Sequence, residues 1–214
     1  MARSRSNLSS GIRLDAEWLQ AAPRRRKVIM PRMTAPRQAP ARPATGEYAS
    51  FYETYVSLVL GDDVLGALET QRVQTAHLLT ARSEREGNFR YAPGKWSVKE
   101  VVGHLSDSER IWAYRALRIA RGDATPLSGF EQDDYVRNGG FAERTLADLA
   151  EEFAAVRAAN VAMFHALTPE AWTRRGSANK SEVTVRALAY IIAGHELHHR
   201  RILEEKYFPA IPRA

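Results

Sequence analysis

Cysteine is absent from this chain. That excludes disulfides, zinc–thiolate sites and cysteine nucleophiles together, so any metal must be held by His, Asp or Glu. Long apolar runs are missing as well: no stretch approaches the roughly 18 residues of a membrane-spanning helix. The basic N-terminus has no apolar core of the kind a secretory signal carries, and a cytoplasmic protein is the natural expectation. Strand-like alternation is scarce and no internal repeat is visible, which points away from β architectures.

The charge is unevenly spread. Of 31 Lys/Arg and 25 Asp/Glu, residues 1–46 hold ten bases and only two acids (Asp15, Glu17), leaving 21 bases against 23 acids in the remainder. The high pI therefore belongs to the N-terminal segment, and no nucleic-acid role is expected of the folded part. A basic tail anchoring the fold to nucleic acid is the weaker alternative. Five of the ten prolines also fall in residues 1–46 (Pro23, Pro31, Pro36, Pro40, Pro43), beside the run Arg24-Arg25-Arg26-Lys27. Such a composition buries too little apolar surface to repay ordering. The expected organisation is a disordered, basic, Pro-rich tail over 1–46 and one domain over 47–214. A short helix around Leu14–Gln20 is conceivable, and Met30 or Met33 offers an alternative start.

From residue 47 the apolar spacing is helical. Tyr48, Phe51, Tyr52, Tyr55, Val56 and Val59 suggest a short aromatic helix ended by Gly61, and a long helix follows over about Asp63 to Ser83. A second long helix opens at Ser97, whose partner Glu100 three residues later makes a capping box; Gly122 ends it. Residues Asp123 to Gly140 form a crossover rich in turn residues. The third long helix opens at Thr145, and a short helix at Thr168-Pro169-Glu170 holds Trp172. A polar loop over Arg174 to Lys180 leads to the fourth long helix, about Glu182 to Tyr207. The expected class is all-α, a four-helix bundle.

Three histidines stand out: His104 on the second long helix, and His195 and His199 on the fourth. At about 100° per residue, His195 falls in the middle of the apolar stripe formed by Leu188, Ile191, Ile192 and Ile202. His199 lies within that stripe and His198 at its edge. Two imidazoles four residues apart can take neighbouring corners of one metal ion. A third from another helix would complete a three-histidine site with an open position. His104 borders its own apolar stripe, so by geometry alone it could face a cleft or water. A buried imidazole bonded to a carbonyl or carboxylate is the plainer reading of each. His77 and His165 have no cluster and are taken as non-ligands. Asp107, Glu109 and Glu196 are candidates to orient an imidazole, although Glu196 points about 100° from His195 and is expected to face water. Asn160 interrupts the third helix's stripe, more as a structural residue than a pocket one. Asp133 and Asp134 could cover the site's mouth. Trp96, Trp112 and Trp172 are read as packing.

The segments YAPGKWSVKEVVGHLSDSER, PLSGFEQDDYV and VRALAYIIAGHELHHRRIL, in that order and separation, resemble the DinB/YfiT-like family of bacterial four-helix-bundle metalloproteins over roughly Tyr48 to Phe208. The resemblance implies a divalent ion, zinc or nickel, held by His104, His195 and His199. It further implies a metal-dependent hydrolase or a low-molecular-weight thiol S-transferase acting on a small molecule; any thiol would have to come from a cosubstrate. A non-catalytic metal-binding, stress-associated protein stays open beside it. A homodimer through helix faces is also left open, and no membrane association is implied.

Overall fold

The computed structural model describes residues 40–212. The rest of the basic tail, with its expected disorder, the helix considered around Leu14–Gln20 and the alternative starts, lies outside the described residues. A 3-10 turn (Ser50–Tyr52) leads into a single turn, α1 (Glu53–Val56), shorter than the expected aromatic helix: the chain passes into tighter turns, Leu58 N–H donating to Tyr55 O and Val59 N–H to Val56 O, before Gly61 at φ +74°. The order then runs α2 (Val64–Thr80), α3 (Glu84–Gly87), α4 (Val98–Ala120), α5 (Gln132–Asn138), α6 (Leu146–His165), α7 (Pro169–Thr173), strands β1 (Arg175–Ala178) and β2 (Ser181–Thr184), and α8 (Val185–Ile202), which continues into a π-helical turn over Leu203–Tyr207.

Local chemistry sets the helix starts. Ser97 accepts from the Glu100 N–H while the Glu100 carboxylate takes the Ser97 N–H, the reciprocal box expected from sequence. Asp63, Thr145, Thr168 and Thr184 cap α2, α6, α7 and α8 in the same sense, each accepting a first-turn N–H. The polar stretch before the last helix differs from expectation. It is an antiparallel hairpin, Arg175 opposite Thr184 and Ala178 opposite Ser181, turned by Asn179 and Lys180 at positive φ (51° and 62°). Two consecutive left-handed residues are what a two-residue hairpin turn requires. The hairpin holds the crossover in place: Leu127 N–H donates to Ser177 O and Asn179 N–H to Leu127 O, both at 2.9 Å.

Four long helices make a bundle in which α2 packs on α6 and α8, and α4 packs on α8 and α6. The pairs α2/α4 and α6/α8 lie across the diagonals, so the connections between them cross an end of the bundle and carry α3, α7 and the hairpin. The helices α4 and α8, which carry the three histidines, are thereby neighbours. Trp112, Ala116 and Ile119 of α4 share one core cluster with Leu188, Ile191 and Ile192 of α8, whereas Val98 and Val101 belong to a second cluster with Leu146, Leu149 and Leu203. Among the described residues no helix is long and apolar enough to cross a membrane.

Candidate metal centre

His104, His195 and His199 converge where α4 meets α8. Each offers a ring nitrogen, and the three lie within 4.8 Å of one another. His104 Nε2 and His195 Nε2 are 3.0 Å apart, and the ring centroids are separated by 4.9 Å (104–195), 5.0 Å (104–199) and 4.5 Å (195–199). Ligands bonded at about 2.0–2.1 Å around a tetrahedral ion come this close to one another. His104 and His195 are buried and His199 is partly so. Burial pushes the His104 imidazole down to about 4, and burial together with the neighbouring imidazoles holds His195 and His199 well below the ordinary range. All three are therefore neutral at pH 7, the form that binds a metal. Three imidazole donors fit a divalent metal ion.

Two glycines permit this convergence. A Cβ at Gly194 would stand 2.0 Å from the Tyr55 carbonyl oxygen, so only glycine lets α1 lie directly on α8 beside His195. At Gly103, next to His104, a Cβ would meet the Phe141 ring at 2.3 Å. The Tyr55 ring then packs edge-on to both His195 (5.2 Å) and His198 (5.3 Å). His198 thus faces an aromatic ring, while His199 joins the cluster. His77 and His165 are exposed on α2 and α6.

Several supporting residues differ from expectation. The group beside the His104 Nδ1 is Ser108, one turn on, with its hydroxyl at 3.4 Å; neither Asp107 nor Glu109 fills that place. Glu109 binds Arg157 through both carboxylate oxygens (2.7 and 2.9 Å) and accepts from the Asn160 amide at 3.2 Å, which makes Asn160 part of a structural network. Asp107 is ion-paired with Arg110 near the surface. Glu196 does not face water: it is 1 % exposed and accepts from the Thr75 hydroxyl of α2. Burial holds its carboxyl above the usual range. The helix α2 covers that side of α8, which a projection of one helix alone does not include. Trp112 and Trp172 pack inside the core and Trp96 against it, as expected. Trp96 and Trp112 also flank the histidines, at 4.7 Å centroid to centroid from His104 and from His195, and Trp172 stacks on Phe164.

Two cavities reach the cluster. One, of about 270 Å³, is bordered by His104, His195, Ser108, Trp112 and Arg115. The other, of about 320 Å³, is bordered by His199, Trp96, Tyr207 and Asp133. Asp133 therefore stands at an entrance, whereas Asp134 pairs with Arg137 at 2.6 Å on the exposed face of α5. His104, Ser108, Trp112 and Arg115 follow one another at spacings of four, four and three, which puts all four on one face of α4. That spacing is the signal in the sequence that marks Ser108 and Arg115 as companions of His104.

A profile of the DinB superfamily matches residues 67–203, more than half of the 214-residue chain. No curated protein matches the sequence. Among solved structures, YfiT from Bacillus subtilis, described as a probable metal-dependent hydrolase with an unusual four-helix bundle topology, superposes with a TM-score of 0.61. The match has 16 % identity and covers 66 % of this chain and 82 % of that one, so it speaks for the fold.

Proposed function

Because the chain belongs to the DinB superfamily, we propose that it is a divalent-metal-dependent enzyme acting on a small molecule, with His104, His195 and His199 holding the ion. The observation that supports this most is the convergence of three neutral imidazole nitrogens from two helices within 4.8 Å, at the floor of two solvent-reaching cavities. Three protein ligands leave a position open, the arrangement of catalytic rather than structural sites. When bound there, a divalent ion supplies the Lewis acidity that ionises water or a thiol near neutral pH.

The chain's own residues do the rest. With Nε2 on the ion, His104 carries its proton on Nδ1, and the Ser108 hydroxyl 3.4 Å away is placed to accept it and orient the ring. Tyr55 and Trp112 enclose His195 and keep bulk water from its ring. With no cysteine in the chain, a thiol reaction draws its sulfur from a cosubstrate.

Elemental analysis of protein purified without an affinity tag, beside His104→Ala and His199→Ala, tests the site. The expected result is about one zinc or nickel ion per chain, lost in both variants. Protein that is metal-free and takes up no added zinc would sink the reading. Turnover then separates the branches: conjugation of a small thiol to monobromobimane favours the transferase, ester or amide cleavage the hydrolase. A loaded protein inert in both assays leaves the non-catalytic metal-binding alternative.

A further inference from the structure

Arg115 brings an uncompensated charge to the cavity shared with His104 and His195. It stands three helical turns beyond His104 on α4 and is 3 % exposed. Its Nη2 donates to the Ser128 carbonyl at 2.5 Å, and its other electrostatic partner is the Tyr52 phenol. No carboxylate among the described residues pairs with it. Comparable arginines elsewhere in the molecule are paired: Arg157 with Glu109, and Arg186 with Glu47. A buried guanidinium with no anion is unfavourable unless a ligand supplies one.

The surroundings describe that ligand. Phe51, Tyr52, Tyr55, Trp112 and Phe130 wall the cavity with aromatic rings. Its volume of about 270 Å³ suits a small molecule. Glu131 also borders the cavity and disfavours a second negative charge. Eleven residues place Arg115 about 16 Å along the helix axis from His104. Helical side chains lean toward the N-terminus, so the guanidinium is carried back toward the histidines.

We propose that this cavity is the substrate site and that Arg115 binds the carboxylate of a small, flat, monoanionic acid whose reacting group lies toward His104 and His195. This deepens the metal-enzyme reading and rests on it. Arg115 is then a substrate-binding residue, its fork matched to a carboxylate.

Sodium benzoate and its neutral isostere benzamide probe the subsite by tryptophan fluorescence, since Trp112 borders the cavity. Zinc-loaded and zinc-stripped wild type are titrated beside zinc-loaded Arg115→Gln. Benzoate is expected to bind both wild-type forms and to outbind benzamide. In Arg115→Gln benzoate weakens by roughly tenfold or more, the size of a lost charge-assisted hydrogen bond, while benzamide binding is unchanged. Equal benzoate affinity in wild type and Arg115→Gln overturns the proposal, as does benzoate binding that needs zinc and ignores the substitution. A merely structural arginine would lower the melting temperature without altering the benzoate-to-benzamide ratio. Should Arg115→Gln not fold, a benzoate soak of wild-type crystals decides. Density with its carboxylate on the Arg115 guanidinium supports the proposal, and density elsewhere, or none at saturating benzoate, overturns it. Zinc stoichiometry in His104→Ala is read separately, so failure of the metal site and failure of the anion subsite are told apart.

Discussion

Each residue of the site is set both within its helix and across to another: His195 and His199 share one face of α8, His104 meets them from α4, and Thr75 of α2 reaches Glu196 from 121 positions away. Ser108 tests how the site is held. Its hydroxyl is the group beside His104 Nδ1, and removing such an outer partner weakens metal binding by roughly 10–100-fold. Ser108→Ala should therefore keep its fold by circular dichroism and lose zinc to a competing chelator earlier than wild type. Unchanged zinc affinity would mean that His104 is oriented by packing alone. Gly194 tests how the site is reached. Its hydrogen faces backbone, not a movable side chain, so Gly194→Ala must push α1 off α8. We expect a loss of about 1–3 kcal/mol in urea unfolding, the usual cost of overpacking. His195 and His199 are legible in the sequence because four-residue spacing is a property of one helix; the place of His104 is not, since the surface it faces is formed by α8.

Elements join through one polar network that touches all four long helices. Arg157 of α6 bonds Glu109 of α4, and its Nη1 reaches Gln71 Oε1 of α2 at 3.0 Å. Gln71 in turn donates to the Ala193 carbonyl of α8 at 3.1 Å. Each member is satisfied by another, which is the condition for a buried network to hold a bundle in one arrangement. Breaking it one-sidedly strands a charge. Arg157→Met should lose about 3–5 kcal/mol, because Glu109 is left buried without its cation. The double variant Glu109→Leu/Arg157→Met should recover much of that loss in urea unfolding; a double variant no better than the single would mean the arginine acts through its packing. The capping box at Ser97 and the start of α6 at Thr145 were legible in the sequence, since a cap is written within four residues. The hairpin was not. Its strands are four residues each, and its turn uses Asn179-Lys180, a pair that carries no glycine to mark it.

At the scale of the molecule, sequence named four helices but could not say which pairs would touch. The diagonal crossing of α2/α4 and α6/α8 is set by the connections, and one of these is secured by a segment upstream of the expected domain start. Residues 42–47 are tied to the bundle. Arg42 donates to the Val56 and Val59 carbonyls, each at 2.6 Å, and lies over the Tyr190 ring. Glu47 accepts from Thr184 at 2.8 Å and from Arg186, joining this strap to the hairpin and the start of α8. A chain beginning at Glu47 should accordingly melt lower than one beginning at Pro40. Burial alone would raise the Glu47 carboxyl, but the bonds from Arg186, the Ala44 N–H and Thr184 hold it at about 2. Unfolded, it titrates near 4.3. A carboxyl depressed in the folded state stabilises the fold fully above its unfolded value, and that contribution fades as pH falls from about 4.3 toward 2. Its size is on the order of 2–3 kcal/mol. Urea unfolding at pH 7, 4 and 3 should show wild type losing stability over that window. Glu47→Gln should start lower at pH 7 and lose less on acidification. If wild type and Glu47→Gln fall in parallel between pH 4 and pH 3, the strap is held by Arg42 and backbone bonds, and the Glu47 carboxylate contributes nothing to it.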